Sequence, residues 1–115
     1  MRLLTTLLVL SIAMSGNAWA IGAIAVDDEA GSHDVGYGFV TGYSNKHEAI
    51  AAAIRECKAH GNTDCKSTIW FKNCGAYAVS ENYYGTGWGD TARDAERMAH
   101  DSCGHNCRIV ISECE

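Results

Sequence analysis

The sequence predicts a small disulfide-bonded α+β domain. Its plan is two strand-strand-helix-strand repeats that build an antiparallel sheet, with both helices packed on one face. Three observations carry this expectation. Five short features recur in the same order along the 115-residue chain. Two Ala-rich stretches of helical period each end on a cysteine. The six cysteines (Cys57, Cys65, Cys74, Cys103, Cys107 and Cys114) are divided between the two halves.

Residues 1–20 come first and read as an export signal. MRLLTTLLVLSIAMSGNAWA has one basic residue at Arg2, an apolar run from Leu3 to Met14, and a small-residue ending Ala18-Trp19-Ala20. This is the pattern of a cleaved leader. The apolar run is shorter than the roughly 20 residues a bilayer span needs, so no membrane anchor is expected. Cleavage after Ala20 leaves residues 21–115, periplasmic or extracellular, as a single domain. That stretch keeps 8 of the 9 basic residues and all 14 acidic ones, a net charge of −6 with His neutral. Such a balance excludes nucleic acid, whose phosphates demand a basic patch.

The repeats run about 21–74 and 75–115. Gly22-Ala-Ile-Ala-Val26 is echoed by Gly75-Ala-Tyr-Ala-Val79, two apolar strands. Gly36-Tyr37-Gly38 is echoed by Gly87-Trp88-Gly89. Asn45-x-x-Glu48 and Thr91-x-x-Asp94 follow, each a polar N-cap with a carboxylate three residues on, which starts a helix. HEAIAAAIREC (47–57) then matches RDAERMAHDSC (93–103). Ala49, Ala52, Ala53 and Cys57 share one face of the first helix, widened by Ile50 and Ile54. Ala95, Met98, Ala99 and Cys103 do so in the second. Gly61-Asn62 and Gly104 stand just beyond the helix ends, where a left-handed residue is common. CKSTIWFKNC (65–74) matches CRIVISEC (107–114) as a last strand.

An even cysteine count in a short exported chain implies a disulfide framework. Cys57–Cys65 and Cys103–Cys107 clamp the two helix-to-strand loops. Cys74 and Cys114, at matching places, then join the halves. The third bridge closes the longest loop and on loop entropy contributes about 4 kcal/mol. A metal site from Cys103 and Cys107 with His100 and His105 has ligand-like spacing, but an oxidising compartment favours the disulfide.

The GAIAV and GAYAV strands, the Gly-Trp-Gly element, the helices ending in Cys, and CKSTIWFKNCGAYAV together resemble a family of small secreted bacterial proteins, domain of unknown function 4189. The likeness covers nearly all of residues 21–115. This copy departs from the pattern in its longer acidic segment Asp27-Asp28-Glu29-Ala30-Gly31-Ser32-His33-Asp34. The resemblance implies secretion and a disulfide-bonded domain, and brings no catalytic residues with it.

The residues themselves offer no catalytic constellation. Ser32-His33-Asp34 has triad residue types, but triad members converge from separate elements rather than from neighbours. Asp90, Asp94 and Glu96 cluster as acid and base candidates, yet Asp94 belongs to a helix start and Glu96 to a solvated face. Gly85-x-Gly-x-Gly lacks the lysine and the strand-to-helix context of a phosphate loop. No enzyme, cofactor or metal is expected. Within GAYAVSENYYGTGWGD (75–90), Gly85, Gly87 and Gly89 fall on one strand face and Thr86 and Trp88 on the other. Packing accounts for the glycines and for Trp88. It does not account for Tyr83 and Tyr84, set beside Asn82 in a turn. These tyrosines are candidate anchors for a partner, with Trp88 a third. The function expected is that of a non-catalytic binding domain of the cell envelope, of inhibitor or immunity type, whose protein partner is basic. The alternative is a glycan or peptidoglycan binder that uses the same aromatics as stacking platforms.

Overall fold

The computed structural model describes residues 20–31 and 33–115. Apart from Ala20, the leader read from residues 1–20 lies outside the described residues. The elements run β1 (Ile21–Asp27), β2 (Gly36–Tyr43), α1 (Lys46–Ala59), β3 (Lys66–Phe71), β4 (Cys74–Val79), β5 (Tyr84–Gly89), α2 (Ala92–Cys103) and β6 (Arg108–Cys114). The protein is an α+β domain. Its strands form two three-stranded antiparallel sheets, β2-β1-β3 and β5-β4-β6, with the first strand of each half in the middle.

The division into two sheets follows from β1 and β4, which are buried at every position. A strand apolar on both faces needs a layer on each. Large and small residues alternate along it. Ile24 and Val26 pack with Ile69 and Phe71 against Tyr77, Val79 and Ile111 of the other sheet. On the opposite faces, Ala23 and Ala25 meet Ala49, Ala53 and Cys57 of α1, and Ala76 and Ala78 meet Ala95, Ala99 and Cys103 of α2. The layers therefore run helix, sheet, sheet, helix. Each helix covers the outer face of its own sheet, so the two helices do not share one face.

Both helix starts are capped as their sequences predict. The Asn45 side chain accepts the Glu48 amide at 2.8 Å, and the Thr91 hydroxyl accepts the Asp94 amide at 3.1 Å; such caps are worth about 1 kcal/mol each. α1 stops at His60, with Gly61 following at φ +93°, and α2 stops at Gly104 at φ +103°.

The second strand of each half carries the glycines that admit its helix. A Cβ built on Gly87 would fall 2.5 Å from the Ala99 amide nitrogen, with the Ala95 carbonyl oxygen closer still. At Gly85 and Gly38 the obstacle is the main chain of Cys103 and of Cys57. With the helix backbone seated on the strand, Met98 is pushed to the border of the buried face and stays 36% exposed.

Three disulfides close the molecule: Cys57–Cys65, Cys103–Cys107 and Cys74–Cys114. The first two tie a helix end to the next strand. The third departs from expectation in what it joins. Cys74 begins β4 rather than ending β3, and it pairs in register with Cys114 of β6. The bridge is thus internal to the second sheet and does not link the halves. The halves are held instead by the inter-sheet core and by Glu115, whose carboxylate accepts the Gly42 amide at 2.8 Å.

Asp27, at the end of β1, is the buried charged residue of the core. Its carboxylate accepts the amides of Thr63 and Asp64, both at 3.0 Å, and that of Glu29 at 3.0 Å, pinning the α1–β3 loop to the first sheet. The Asp64 and Glu29 amides, against the opposing effect of burial and with help from the Thr63 amide, hold its pKa below the ordinary 3.8. A depressed carboxylate stabilises the fold above its unfolded value, and that contribution disappears as pH falls through the folded one.

Two expectations follow from this packing. Gly87→Val places a branched side chain against main-chain atoms that cannot rotate away, and should lower the urea-unfolding free energy by more than about 2 kcal/mol. Asp27→Asn should be less stable than the parent at neutral pH, and the gap should close as pH is lowered past 3.8. Parallel melts across that range check this, and a gap constant with pH would contradict it.

Candidate binding groove

β5 is an edge strand whose two faces differ completely. Gly85, Gly87 and Gly89 lie under α2, while Tyr84, Thr86 and Trp88 lie opposite Val79, Tyr77 and Gly75 of β4, on the face turned toward the first sheet. The turn before it is fixed by Ser80, whose amide donates to the Tyr83 carbonyl at 2.8 Å and whose hydroxyl accepts the Tyr83 amide at 3.1 Å. Tyr84 stacks on Tyr77 with ring centroids 5.8 Å apart and an interplanar angle of 21°. Burial, then the Asp28 charge and Tyr84, push the Tyr77 phenol up to about 12, so it is a neutral core group at physiological pH.

Beside Trp88, across the gap between the sheets, runs β3. Between these two edges lies a groove of about 620 Å³, floored by Ile69 and Phe71, walled by Trp70 and Trp88, and rimmed by Asn73 and Asp90. Trp88 is 56% exposed. Packing therefore does not explain it, for a local reason: its cross-strand partner is Gly75, which has no side chain, and the space above that glycine is taken by the Phe71 ring. Trp70 is 39% exposed, and its ring holds the Lys46 ammonium at 5.2 Å in a cation–π contact. The Asn73 amide donates to the Asp90 carboxylate at 2.9 Å.

The structure brings two of the three sequence-predicted anchors together and separates the third. Tyr84 and Trp88 share the groove-side face of β5. Tyr83 lines a smaller recess of about 260 Å³ with Asn82, His105 and Asn106. Trp70, Lys72 and Asn73 escaped sequence reasoning, which read CKSTIWFKNC only as a strand. Strand alternation puts Trp70 on the face opposite Ile69 and Phe71, paired with Ala23 on the α1 side, so it meets the groove only along the β3 edge, which alternation alone does not announce. Among the acid and base candidates, Asp90 is engaged by Asn73 and Asp94 pairs with Arg97 at 3.4 Å. Of Ser32-His33-Asp34, Ser32 lies outside the described residues. The cysteines near His100 and His105 are bonded to each other.

The two tyrosines should behave differently on truncation. Tyr83→Ala should change stability by less than about 0.5 kcal/mol. Tyr84→Ala, which loses a stacked ring, should cost about 1 kcal/mol. Denaturant titration of each single variant makes the comparison, and equal costs would show that the Tyr77 stack contributes nothing.

A family model described as Domain of unknown function (DUF4189) matches residues 21–114. No curated protein and no solved structure matches the chain. Since the family match takes in every strand and both helices, the chain belongs to the DUF4189 family.

Proposed function

We propose that this protein is an exported, non-catalytic binding domain that receives a protein partner in the groove between β3 and β5. One observation carries the reading: Trp88 and Trp70 remain exposed along an apolar groove of about 620 Å³ in a domain this small, with exposed Tyr84 further along the same face of β5 as Trp88. Exposed aromatics clustered on an apolar recess are the usual composition of an interaction hot spot. Export is supported by the three disulfides, which persist in oxidising compartments, and by the leader pattern of residues 1–20. Among the described residues no helix is long and apolar enough to cross a membrane. The net charge of −6 over residues 21–115 favours a basic partner and a role of inhibitor or immunity type.

A second reading, a cell-wall glycan in the same groove, is favoured by the Asn73–Asp90 pair at the rim beside Trp88. Sugar recognition uses a flat ring with hydrogen-bonding groups at its edge. Two measurements separate the readings. Affinity capture from the native envelope with the wild-type protein, Trp88→Ala and Tyr83→Ala should yield a protein that Trp88→Ala fails to retain and Tyr83→Ala keeps. Co-sedimentation with purified peptidoglycan should be negligible. Capture indifferent to Trp88→Ala would overturn the groove assignment, and peptidoglycan binding lost with Trp88→Ala would establish the glycan reading instead.

A further inference from the structure

The phase of the β4–β5 ladder decides which main-chain groups of β5 face outward. The Ser80 amide bonds to the Tyr83 carbonyl, so that pair is hydrogen-bonded, and the pairing from Val79↔Tyr84 to Cys74↔Gly89 proceeds without a register shift. Antiparallel pairs alternate between bonded and non-bonded. Gly85, Gly87 and Gly89 therefore bond to β4, while the amides and carbonyls of Tyr84, Thr86 and Trp88 point away from it. The short Cα–Cα distance of 4.0 Å across Cys74–Cys114 fits a non-bonded pair and so gives the same phase through β6. Among the described residues no hydrogen bond reaches these outward groups.

Edge strands are normally guarded by charges, prolines or bulges. β2, β3 and β6 each carry a register shift against their neighbour, and β3 and β6 also carry Lys66, Arg108 and Glu113. β5, YGTGWG, has neither charge nor bulge. We propose that β5 is a strand-addition site: a partner segment in extended conformation pairs with the main chain of Tyr84, Thr86 and Trp88. This rests on the groove reading and names the form in which the partner docks. The two sides of the added strand meet different surroundings. Its residues opposite Tyr84, Thr86 and Trp88 turn into the groove and are large and apolar. Those between them turn toward α2, where Met98 borders the edge, and are small. Exposed Glu81 and Asp90 stand at the two ends of β5 and select basic residues flanking the segment. The partner chemistry is thus an alternating large–small strand bracketed by lysine or arginine.

The probe is a synthetic peptide with valine at alternate positions, alanine between them and lysine at each end, titrated into the disulfide-bonded protein. On saturation the amides of Tyr84, Thr86 and Trp88 should slow in hydrogen exchange by about tenfold or more, while Gly85 and Gly87 are unchanged. Thr86→Pro removes one outward donor. It is compatible with the fold because the lost N–H faces solvent and the preceding residue, Gly85, has no Cβ to clash with the ring. This variant should weaken the peptide by about tenfold and Thr86→Val by less than about threefold. A peptide that does not bind, or that binds without protecting the three amides, overturns strand addition. Thr86→Pro that binds normally while Trp88→Ala does not overturns strand addition but leaves the groove reading standing. Peptide binding and envelope capture both indifferent to Trp88→Ala overturn the groove itself.

Discussion

Where α2 crosses β5, the main chain of Ala95 and Ala99 occupies the volume that a side chain at residue 87 would need, and Cys57 does the same over Gly38 in the first half. Helix and sheet meet backbone against backbone there, with alanine, glycine and cysteine at the point of closest approach. Everything else in the domain follows from how little apolar volume that contact uses. A thin helix–sheet layer built on Ala23, Ala25, Ala49 and Ala53, or on Ala76, Ala78, Ala95 and Ala99, buries little area per residue, and hydrophobic stabilisation scales with area. The larger residues are spent elsewhere, between the sheets. Ile24, Val26, Ile69, Phe71, Tyr77, Val79 and Ile111 make up the layer that holds most of the large buried residues.

Phe71 shows how tightly that layer is set. A Cβ at Gly22 would stand 2.6 Å from its ring, and one at Gly75 would fall closer still. These two glycines open the middle strands of the two sheets, so the ring lies between the sheets at matching points of each. A small core held in this way leaves the chain between elements weakly supported. Two of the disulfides fall at those places, binding helix ends to the strands that follow. The third, Cys74–Cys114, ties the ends of two paired strands, the first residue of β4 to the last of β6. Disulfides act mainly by restricting the unfolded chain, and so stabilise where packing cannot.

The element order was legible because the local signals agree with one another. Asn45 and Thr91 mark helix starts, the alanines mark buried faces, Gly61 and Gly104 mark the ends, and alternation in residues 84–89 separates glycines from aromatics. The layering was not legible in the same way. In GAIAV and GAYAV the alternation is of large against small rather than apolar against polar, and a strand read only for hydrophobicity looks the same on both faces. Read by volume, Ile24 and Val26 belong to one layer and Ala23 and Ala25 to another, which calls for two sheets. Cys74 was misplaced for a related reason. The two-residue link Lys72-Asn73 is too short to announce a change of sheet, so the cysteine read as the end of one strand rather than the start of the next. The groove was half visible. Tyr84 and Trp88 could be placed on one face of β5, but Trp70 reaches the site only because β3 and β5 lie on the same side of the sandwich, a long-range fact.

The glycine contact also accounts for where the exposed aromatics stand. A strand that gives one face wholly to a helix backbone has only its other face for large side chains, and in β5 these are Tyr84, Thr86 and Trp88. Tyr84 finds Tyr77 beneath it. Trp88 finds Gly75, whose lack of a side chain is fixed by Phe71. Covering Trp88 from within the fold would require a side chain at residue 75, and that side chain would displace the ring at the centre of the core. The requirement that packs the centre is thus the one that leaves an indole standing at the edge, beside a groove whose other wall is Trp70. Aromatic exposure here is a consequence of core geometry, and it leaves the fold no looser.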